Sequence, residues 1–298
     1  MTALSALTDR LVERIERATV LDAVAGPVAD LIGKALRFKP IRDLASGTPT
    51  GHPAHPPLVA VPIGSFVAAS VLDLSGPDGA VAARRLIGLG VLSALPAAAT
   101  GASDWSYTSG AERRLGFVHA GVNALALSCY TGSWVARRRN QWLLGALLAG
   151  GGATLLTAGG FLGGHLVYAR GVGVDTTAFS VASEDWQDTL AEAELIDNQP
   201  TLVHAAGLPV LLIRRGGELF ALDDRCSHRG GPLHEGQLSG DGCISCPWHG
   251  SRFRLAGGEV VDGPAVRPQR RWEVRTRYGM VQVRVPDEVG SLRSNPVS

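Results

Sequence analysis

The chain has 298 residues, enough for two domains, and its 28 basic and 27 acidic residues leave a formal net charge of +1. Without a basic surplus the sequence has no electrostatic footprint for nucleic acid, so we expect no nucleic-acid partner. Four cysteines, two of which belong to a metal-ligand pattern described below, do not make a disulfide framework. The first residues contain neither an apolar signal core nor a twin arginine, so we expect no cleaved signal peptide.

Residues 1–43 are predicted to form an N-terminal amphipathic helical segment followed by a loop. Apolar residues recur at roughly helical spacing through 3–36, and charged residues fill much of the other face. Gly26 and Pro27 interrupt this pattern and predict a kink or a division into two helices. The segment could pack on its own protein or lie in a membrane interface, and its acidic residues favour the first. Pro, Gly and Ser then predict a loop over 37–57.

Residues 44–175 are predicted to form a four-span transmembrane domain. Apolar runs lie at about 58–74, 80–101, 115–135 and 142–167, each near the roughly 20 residues that cross a bilayer as a helix. The runs are rich in Gly, Ala, Ser and Thr, which let membrane helices approach closely. A buried soluble bundle is the alternative, but it would need a polar face on each helix, and these runs have almost none.

Several histidines lie toward the same end of the predicted spans. Ionisable groups inside a membrane are costly, so His55, His119 and His165, with His52 nearby, are candidates for a membrane cofactor site. Two facing imidazoles could bind the iron of haem b, or the histidines could form a quinone or proton site. Hydrogen bonding between helices, for example by His119 with Asn123, is the simpler interpretation.

Residues 176–286 are predicted to form a small β-domain, joined through a linker over 175–183. Residues 186–193 predict a strand and a short turn, and apolar runs separated by glycines predict three later hairpins. The predicted turns lie at 216–217, 257–258 and 278–279. His204 and His234 have no ligand spacing and are expected at the surface. Residues 287–298, rich in Ser and Pro, are predicted to be a disordered tail.

A metal-ligand pattern lies within this domain, in the sequences CSHRGGPL and GCISCPWHGSRF. It consists of Cys226-x-His228 and, after seventeen residues, Cys246-x-x-His249. Zinc accepts two Cys and two His, but a zinc finger pairs Cys with Cys and His with His, whereas each loop here gives one of each. Two such loops suit a two-iron cluster in which both Cys bind one iron and both His bind the other.

The two loops resemble those of the Rieske family, and the resemblance runs over about 186–285. It implies a small antiparallel β-domain with a [2Fe–2S] cluster at its tip. Cys226 and Cys246 would bind one iron, and His228 and His249 would bind the other with their ring edges facing the electron partner. The resemblance also implies supporting positions around the cluster, namely Gly230, Trp248, Gly250, Ser251 and Phe253.

This chain differs in two respects from the respiratory, quinol-oxidising Rieske proteins, and the differences indicate which kind of Rieske protein it resembles. Those proteins carry an extra, disulfide-bonded Cys in each loop, where this chain has Gly231 and Trp248, and the spare Cys243 is expected to be a free thiol. They also use a Ser and a Tyr to donate hydrogen bonds that raise the cluster potential. Ser251 keeps the first donor and Phe253 replaces the second. We therefore predict a potential between the ferredoxin and the respiratory extremes.

The sequences GHPAHPPLVAVPIG, FVHAGVNAL and GGHLVYARGVGVD resemble a family of bacterial four-span membrane domains of unassigned function. Some members of that family are fused to a Rieske domain. The resemblance covers about 44–175 and implies topology rather than chemistry. The expected fold class is α + β in separate domains, with a four-helix transmembrane bundle followed by a small antiparallel β Rieske domain.

Four spans would place both termini on one side of the membrane. Seven basic residues on that side only slightly outnumber the five arginines on the other, so the positive-inside rule does not decide the orientation. The missing signal peptide and the disulfide-free, ferredoxin-like cluster favour a cytoplasmic Rieske domain. We expect a multi-pass protein of the bacterial plasma membrane.

The expected function is a membrane-anchored Rieske iron–sulfur protein that carries one electron at a time. Its partners would be the lipid bilayer and an electron donor and acceptor, proteins or quinone, that the sequence does not identify. An oxygenase would need a further iron held by two His and a carboxylate, and the 49 residues after His249 contain no histidine. The alternatives are an electron-transfer subunit of an oxygenase, reductase or quinone-linked complex, or a membrane redox sensor. Whether the chain is itself an enzyme stays open.

Overall fold

The computed structural model describes residues 3–286 and separates into two compact units. One unit comprises residues 1–45 and 53–172 and is helical where it is described. The other comprises residues 46–52 and 173–298, and its secondary structure consists mainly of strands. The predicted tail, 287–298, lies outside the described residues.

Seven α-helices follow one another through residues 3–168. They are α1 (Ala3–Arg17), α2 (Asp22–Ala35), α3 (Lys39–Ser46), α4 (His55–Asp73), α5 (Ala80–Ser106), α6 (Gly110–Arg138) and α7 (Trp142–Tyr168). The break in the N-terminal segment lies at the short turn Thr19–Leu21, and Pro27 sits inside α2, where it removes a single helical hydrogen bond. The predicted loop over 37–57 contains α3, because Pro40 fits a first helical turn and Lys39 pairs with Asp43 one turn on at 3.3 Å.

The N-terminal helices pack on the helices that follow. Val12 and Ile15 of α1 contact a cluster that includes Leu115 and Leu162. The Arg114 guanidinium donates to the two carboxylate oxygens of Asp22 at 2.8 and 2.6 Å. The outer faces of these helices keep large apolar side chains exposed, among them Leu7, Leu11, Val20, Val24 and Leu31. The segment therefore combines packing on its own protein with an exposed apolar row.

Three stretches of the described residues are long and apolar enough to cross a membrane, namely His55–Asp73, Gly76–Ser106 and Trp142–Tyr168. The remaining predicted span corresponds to α6, which has 29 residues and is long enough. Polar side chains in its middle, such as His119, Asn123 and Thr131, lower its apolar character below that of the other three. The four long helices form a ring in which α4 and α6 each contact α5 and α7.

Two antiparallel sheets form the second unit within its described residues. The strands are β1 (Gln187–Ala191), β2 (Thr201–Ala205), β3 (Leu208–Arg215), β4 (Glu218–Asp223), β5 (Gln237–Leu238), β6 (Cys243–Ser245), β7 (Arg252–Arg254), β8 (Val260–Asp262), β9 (Arg271–Arg277) and β10 (Met280–Arg284). The six-stranded sheet has the order β1-β10-β9-β4-β3-β2, and the four-stranded sheet has the order β5-β6-β7-β8.

The three predicted hairpins are present as β3–β4, β7–β8 and β9–β10. Gly216, Gly217 and Gly279 adopt positive φ in these turns, where a side chain would be strained. A further hairpin, β2–β3, turns at Ala206 and Gly207 and was not predicted, because its turn lacks a strong dipeptide signal. One core joins Leu211, Ile213, Leu222, Ile244 and Phe253, and the cysteines of the metal-ligand pattern belong to it.

Candidate metal centre

Two loops of closely similar construction carry the predicted ligands. The first Cys–His loop, residues 226–231, follows β4, and the second Cys–His loop, residues 246–251, joins β6 to β7. In the first loop, the Cys226 N–H donates to the carbonyl of residue 231 at 2.9 Å, and the N–H of residue 230 returns to the Cys226 carbonyl at 2.7 Å. The second loop repeats both bonds from Cys246, at 2.8 and 3.0 Å. Each loop is therefore a closed turn that begins with its cysteine.

Both loops need a glycine at their fifth position. Gly230 and Gly250 have φ of 74° and 72°, the left-handed region that side chains rarely adopt. Gly231 is required for another reason, since a Cβ there would lie 2.9 Å from the Cys246 Sγ. The position that holds a disulfide cysteine in respiratory Rieske proteins thus has no room here for any side chain without movement of the second loop.

The two cysteines face each other inside the protein. Cys226 and Cys246 are buried, and their thiols share a hydrogen bond. That bond from Cys226, with backbone N–H groups of the second loop, lowers the pKa of Cys246 to about 6. The same bond, together with burial, raises the pKa of Cys226. The contacts around Cys246 therefore favour its thiolate, the form in which cysteine binds a metal.

The two histidines form a second pair, nearer the surface. The rings of His228 and His249 are half-buried and stand edge to face, with centroids 5.1 Å apart. Burial first, and then the charges of His249 and Arg229, lower the pKa of His228 to about 3. A neutral imidazole is the form that binds a metal. Trp248, more than half exposed, stands beside His249 at 6.3 Å between ring centroids.

The donors fit two metal atoms better than one. Within the described part of the chain, no three His, Cys, Asp or Glu side chains gather at a single metal position. The predicted ligands instead form a buried sulfur pair and an outer nitrogen pair. A tetrahedral zinc would need all four at one point, whereas a [2Fe–2S] cluster with two Cys on one iron and two His on the other needs this division.

Ser251 and Phe253 have different roles beside the cysteine pair and the histidine pair. Ser251 is fully buried, and its hydroxyl oxygen accepts a hydrogen bond from the Ala265 N–H at 3.0 Å. The hydroxyl proton is thereby left to point elsewhere. Phe253 is fully buried in the core that contains both cysteines, so it contributes packing where respiratory Rieske proteins have a hydrogen-bond donor.

A third segment, residues 265–269, holds both loops and was not predicted as part of the site. Besides the bond from Ala265 to Ser251, its Arg267 carbonyl accepts from the Ser227 hydroxyl at 2.7 Å. The buried Gln269 side chain accepts from the Ser227 N–H at 2.7 Å and donates to the carbonyls of Asp223 and Arg225 at 2.9 and 2.8 Å. A lone Gln after a Pro-containing stretch carries no spacing signal, so this role of Gln269 could not be predicted from the sequence.

His234 is also more than a surface residue. Its N–H and ring Nδ1 both contact the carboxylate of the buried Asp224, at 2.7 and 2.9 Å. The preceding carboxylate, Asp223, accepts from the Trp272 indole at 2.7 Å. Two consecutive acidic side chains thus fix the start of the first Cys–His loop. His204 is exposed, as predicted.

The membrane-side histidines do not gather at one point. The Nδ1 of His55 lies 2.8 Å from the Ala97 carbonyl, and the Nδ1 of His119 lies 2.9 Å from the Gly159 carbonyl. Both of these contacts are made to the next helix along the chain, α5 for His55 and α7 for His119. His165 instead faces Glu16 of α1, with 3.7 Å between its Nε2 and the carboxylate. The predicted trio is therefore a pair and a separate residue.

Two family descriptions match the chain, one for each part. The Rieske [2Fe-2S] domain matches residues 185–278. The chain belongs to the Rieske [2Fe–2S] family. It therefore binds a [2Fe–2S] cluster. Residues 51–176 match a family described as predicted membrane protein (DUF2231), so this Rieske protein carries the fusion expected from its sequence.

The relatives of this Rieske protein include ferredoxin subunits of dioxygenases. The anthranilate 1,2-dioxygenase ferredoxin subunit of Burkholderia cepacia is 34% identical over 34% of this chain and 93% of its own length. The 3-phenylpropionate/cinnamic acid dioxygenase ferredoxin subunit of Escherichia coli K12 is 32% identical over 32% of this chain and 83% of its own length. The similarity identifies the domain as a Rieske ferredoxin-type electron carrier.

A solved ferredoxin structure is also similar to part of this chain. The ferredoxin of carbazole 1,9a-dioxygenase from Nocardioides aromaticivorans IC177 is 26% identical. The match covers 33% of this chain and 96% of that ferredoxin, with a TM-score of 0.32.

Proposed function

We propose that Cys226, Cys246, His228 and His249 hold the [2Fe–2S] cluster, and that the chain is a membrane-anchored carrier of single electrons. The observation that supports this best is the pair of matching loops, which present a buried cysteine pair and a half-exposed histidine pair. The bound cluster supplies one-electron redox chemistry. The protein residues bury its sulfur-bound side and leave its histidine side near the surface, where a partner could approach.

The anchor is the helical unit. Three helices that could cross a membrane, the match to a membrane-protein family and the length of α6 support four spans in the bacterial plasma membrane. In this topology the Rieske domain lies on the side of the N-terminus, and we propose that this is the cytoplasmic side. Anchoring would keep the carrier beside membrane-bound partners and raise its effective concentration there.

The partners are proposed by class. Relatives named as ferredoxin subunits of dioxygenases point to an oxygenase-type acceptor, which would make this chain an electron-transfer subunit rather than an enzyme with its own substrate. A quinone-linked complex is the other class that a membrane anchor would suit. The half-exposed Trp248 beside His249 offers an aromatic contact for a partner surface.

The test is low-temperature EPR of the detergent-purified full-length protein, oxidised and reduced with dithionite. We expect a Rieske signal in the reduced protein and its loss in Cys246→Ser, because one iron would lose a ligand. The matched control is Cys243→Ala, which alters a buried free thiol three residues away and should keep the signal. A Rieske signal that survived in Cys246→Ser would show that the assigned ligand set is wrong.

A further inference from the structure

Two of the four long helices, α4 and α6, share one pattern of side chains. The repeated positions are His55, Phe66 and Asp73 on α4, and His119, Tyr130 and Arg137 on α6. Both series have intervals of eleven and then seven residues. Because α4 and α6 each lie between α5 and α7, the bundle is built as two similar hairpins, α4–α5 and α6–α7, whose first helices stand on a diagonal.

The three pairs of corresponding residues define three layers of the bundle. In two of these layers, the side chain from α4 contacts the side chain from α6 directly. Phe66 and Tyr130 stack with ring centroids 3.7 Å apart and planes 4° from parallel. Arg137 donates to the Asp73 carboxylate at 2.6 Å. In each of these layers, the diagonal helices meet through the two side chains themselves. The histidine layer is the exception, since its rings make no ring contact or hydrogen bond with each other in the described structure.

Both histidines are fixed in the same way. Each Nδ1 points at a carbonyl of the next helix, Ala97 for His55 and Gly159 for His119. A carbonyl only accepts, so each Nδ1 carries the proton and each Nε2 keeps its lone pair. The Asn123 amide has two N–H groups; it donates at 2.8 Å to the carbonyl of His119 and lies 3.4 Å from Nε2 of the same residue. An imidazole whose Nδ1–H is held by a carbonyl is the usual state of a metal-binding histidine.

A glycine lies against each ring. A Cβ on Gly101 would come within 2.7 Å of the Cε1 of His55, and a Cβ on Gly163 within 3.0 Å of the Cε1 of His119. Each glycine comes four residues after the carbonyl that its histidine contacts. The two hairpins thus provide the same two features, a carbonyl and a glycine, for an imidazole that is costly to place within an apolar bundle.

We propose that a haem b binds in the helical unit, where His55 and His119 would be the protein ligands of its iron. A bare transition-metal ion needs three or four protein ligands, and no group of three gathers within the described residues. A porphyrin supplies four nitrogens to its iron and needs only two from the protein. A quinone carbonyl needs a hydrogen-bond donor, and an Nε2 that carries a lone pair is an acceptor. Bundles build such sites from side chains on facing helices.

The experiment is the pyridine haemochrome assay and the visible spectrum of the full-length protein in detergent, after titration with haemin. We expect equimolar, low-spin b-type haem. His55→Ala and His119→Ala should each abolish it or convert it to a five-coordinate spectrum. The matched controls are His165→Ala, on the same bundle but facing Glu16, and His52→Ala, which precedes α4; both should keep the wild-type spectrum.

Two further measurements separate ligation from folding. Added imidazole should restore the low-spin spectrum in His119→Ala, because it replaces the lost ligand, and His119→Met should keep haem with an altered spectrum. The Rieske EPR signal of the same samples reports the cluster independently, so a failed cluster assignment cannot be confused with a failed haem assignment. Wild-type protein that takes up no haem, or that gives the same spectrum after loss of His55 and His119, would overturn the proposal.

Discussion

Ser251 shows how a single side chain could set the properties of the cluster. Its oxygen accepts the Ala265 N–H at 3.0 Å, which leaves the hydroxyl proton available to donate. We predict that it donates to the cluster. A donor to the cluster stabilises the reduced state, which carries more negative charge. Phe253, which fills the core, has no such donor. One donor rather than two is the physical basis for the intermediate potential predicted from the sequence, which remains a prediction.

Ser251→Ala should lower the reduction potential of the cluster. A hydrogen bond to a charged group contributes about 1.5–3 kcal/mol, which is roughly 60–130 mV for a one-electron couple. EPR-monitored redox titration of the full-length protein measures the shift. The control is Ser239→Ala, because Ser239 donates to the Asp241 side chain and the Cys243 carbonyl, away from the four proposed ligands. Equal potentials in wild type and Ser251→Ala would show that this hydroxyl does not donate to the cluster.

At the scale of elements, glycines decide how closely the long helices pack. Gly152 of α7 lies against the Tyr130 ring, with an added Cβ only 2.9 Å from the ring carbon Cε2. The adjacent Gly151 has nothing within 4 Å of such a Cβ. The sequence shows both as members of a run of three glycines and cannot distinguish them. Only the packed helices show which glycine is needed for space.

Gly152→Ala should therefore destabilise the bundle, while Gly151→Ala should not. Overpacking of this kind costs about 1–3 kcal/mol, because the Tyr130 ring and its stacked partner Phe66 would have to move. Thermal unfolding of the two variants in the same detergent, followed by helical circular dichroism, gives the comparison. A Gly151→Ala variant that lost as much stability as Gly152→Ala would contradict this explanation.

The whole molecule joins a helical unit and a β-unit along one chain. In the proposed four-span topology, the loop between α6 and α7 and the β-unit lie on opposite sides of the membrane. Asn140 in that loop and Glu194 in the β-unit are both exposed, so each can report on its side. The nearly balanced arginines and lysines on the two sides leave the orientation to experiment.

In intact bacterial cells, a membrane-impermeant maleimide should label Asn140→Cys and should label Glu194→Cys only after lysis. This outcome is expected if the β-unit is cytoplasmic. The four native cysteines are buried or half-buried, and the protein without added cysteine gives the background. The opposite pattern would place the Rieske domain outside the cytoplasm, and labelling of both sites in intact cells would contradict the four-span topology.

Local spacing in the sequence was enough to identify the family, because the loops are short and each closes through its own backbone. Cys226, His228, Cys246 and His249 stand in such loops, and three of the hairpins turn at glycine pairs or Tyr-Gly. Local pattern was also wrong in one place: the helix α3 was predicted as loop, because its Pro and the neighbouring Gly residues were given more weight than the possible ion pair between Lys39 and Asp43.

Only the tertiary structure brought together residues that are distant in the chain. Gln269 holds a loop more than forty residues before it, and its role depends on buried carbonyls that no spacing reveals. His55 and His119 belong to a repeated layer because two hairpins pack with their first helices on a diagonal. Sequence by itself identified the two Rieske loops and most of the elements, since these follow from local chemistry. Packing decided which side chains meet, because contacts between distant segments depend on the fold as a whole.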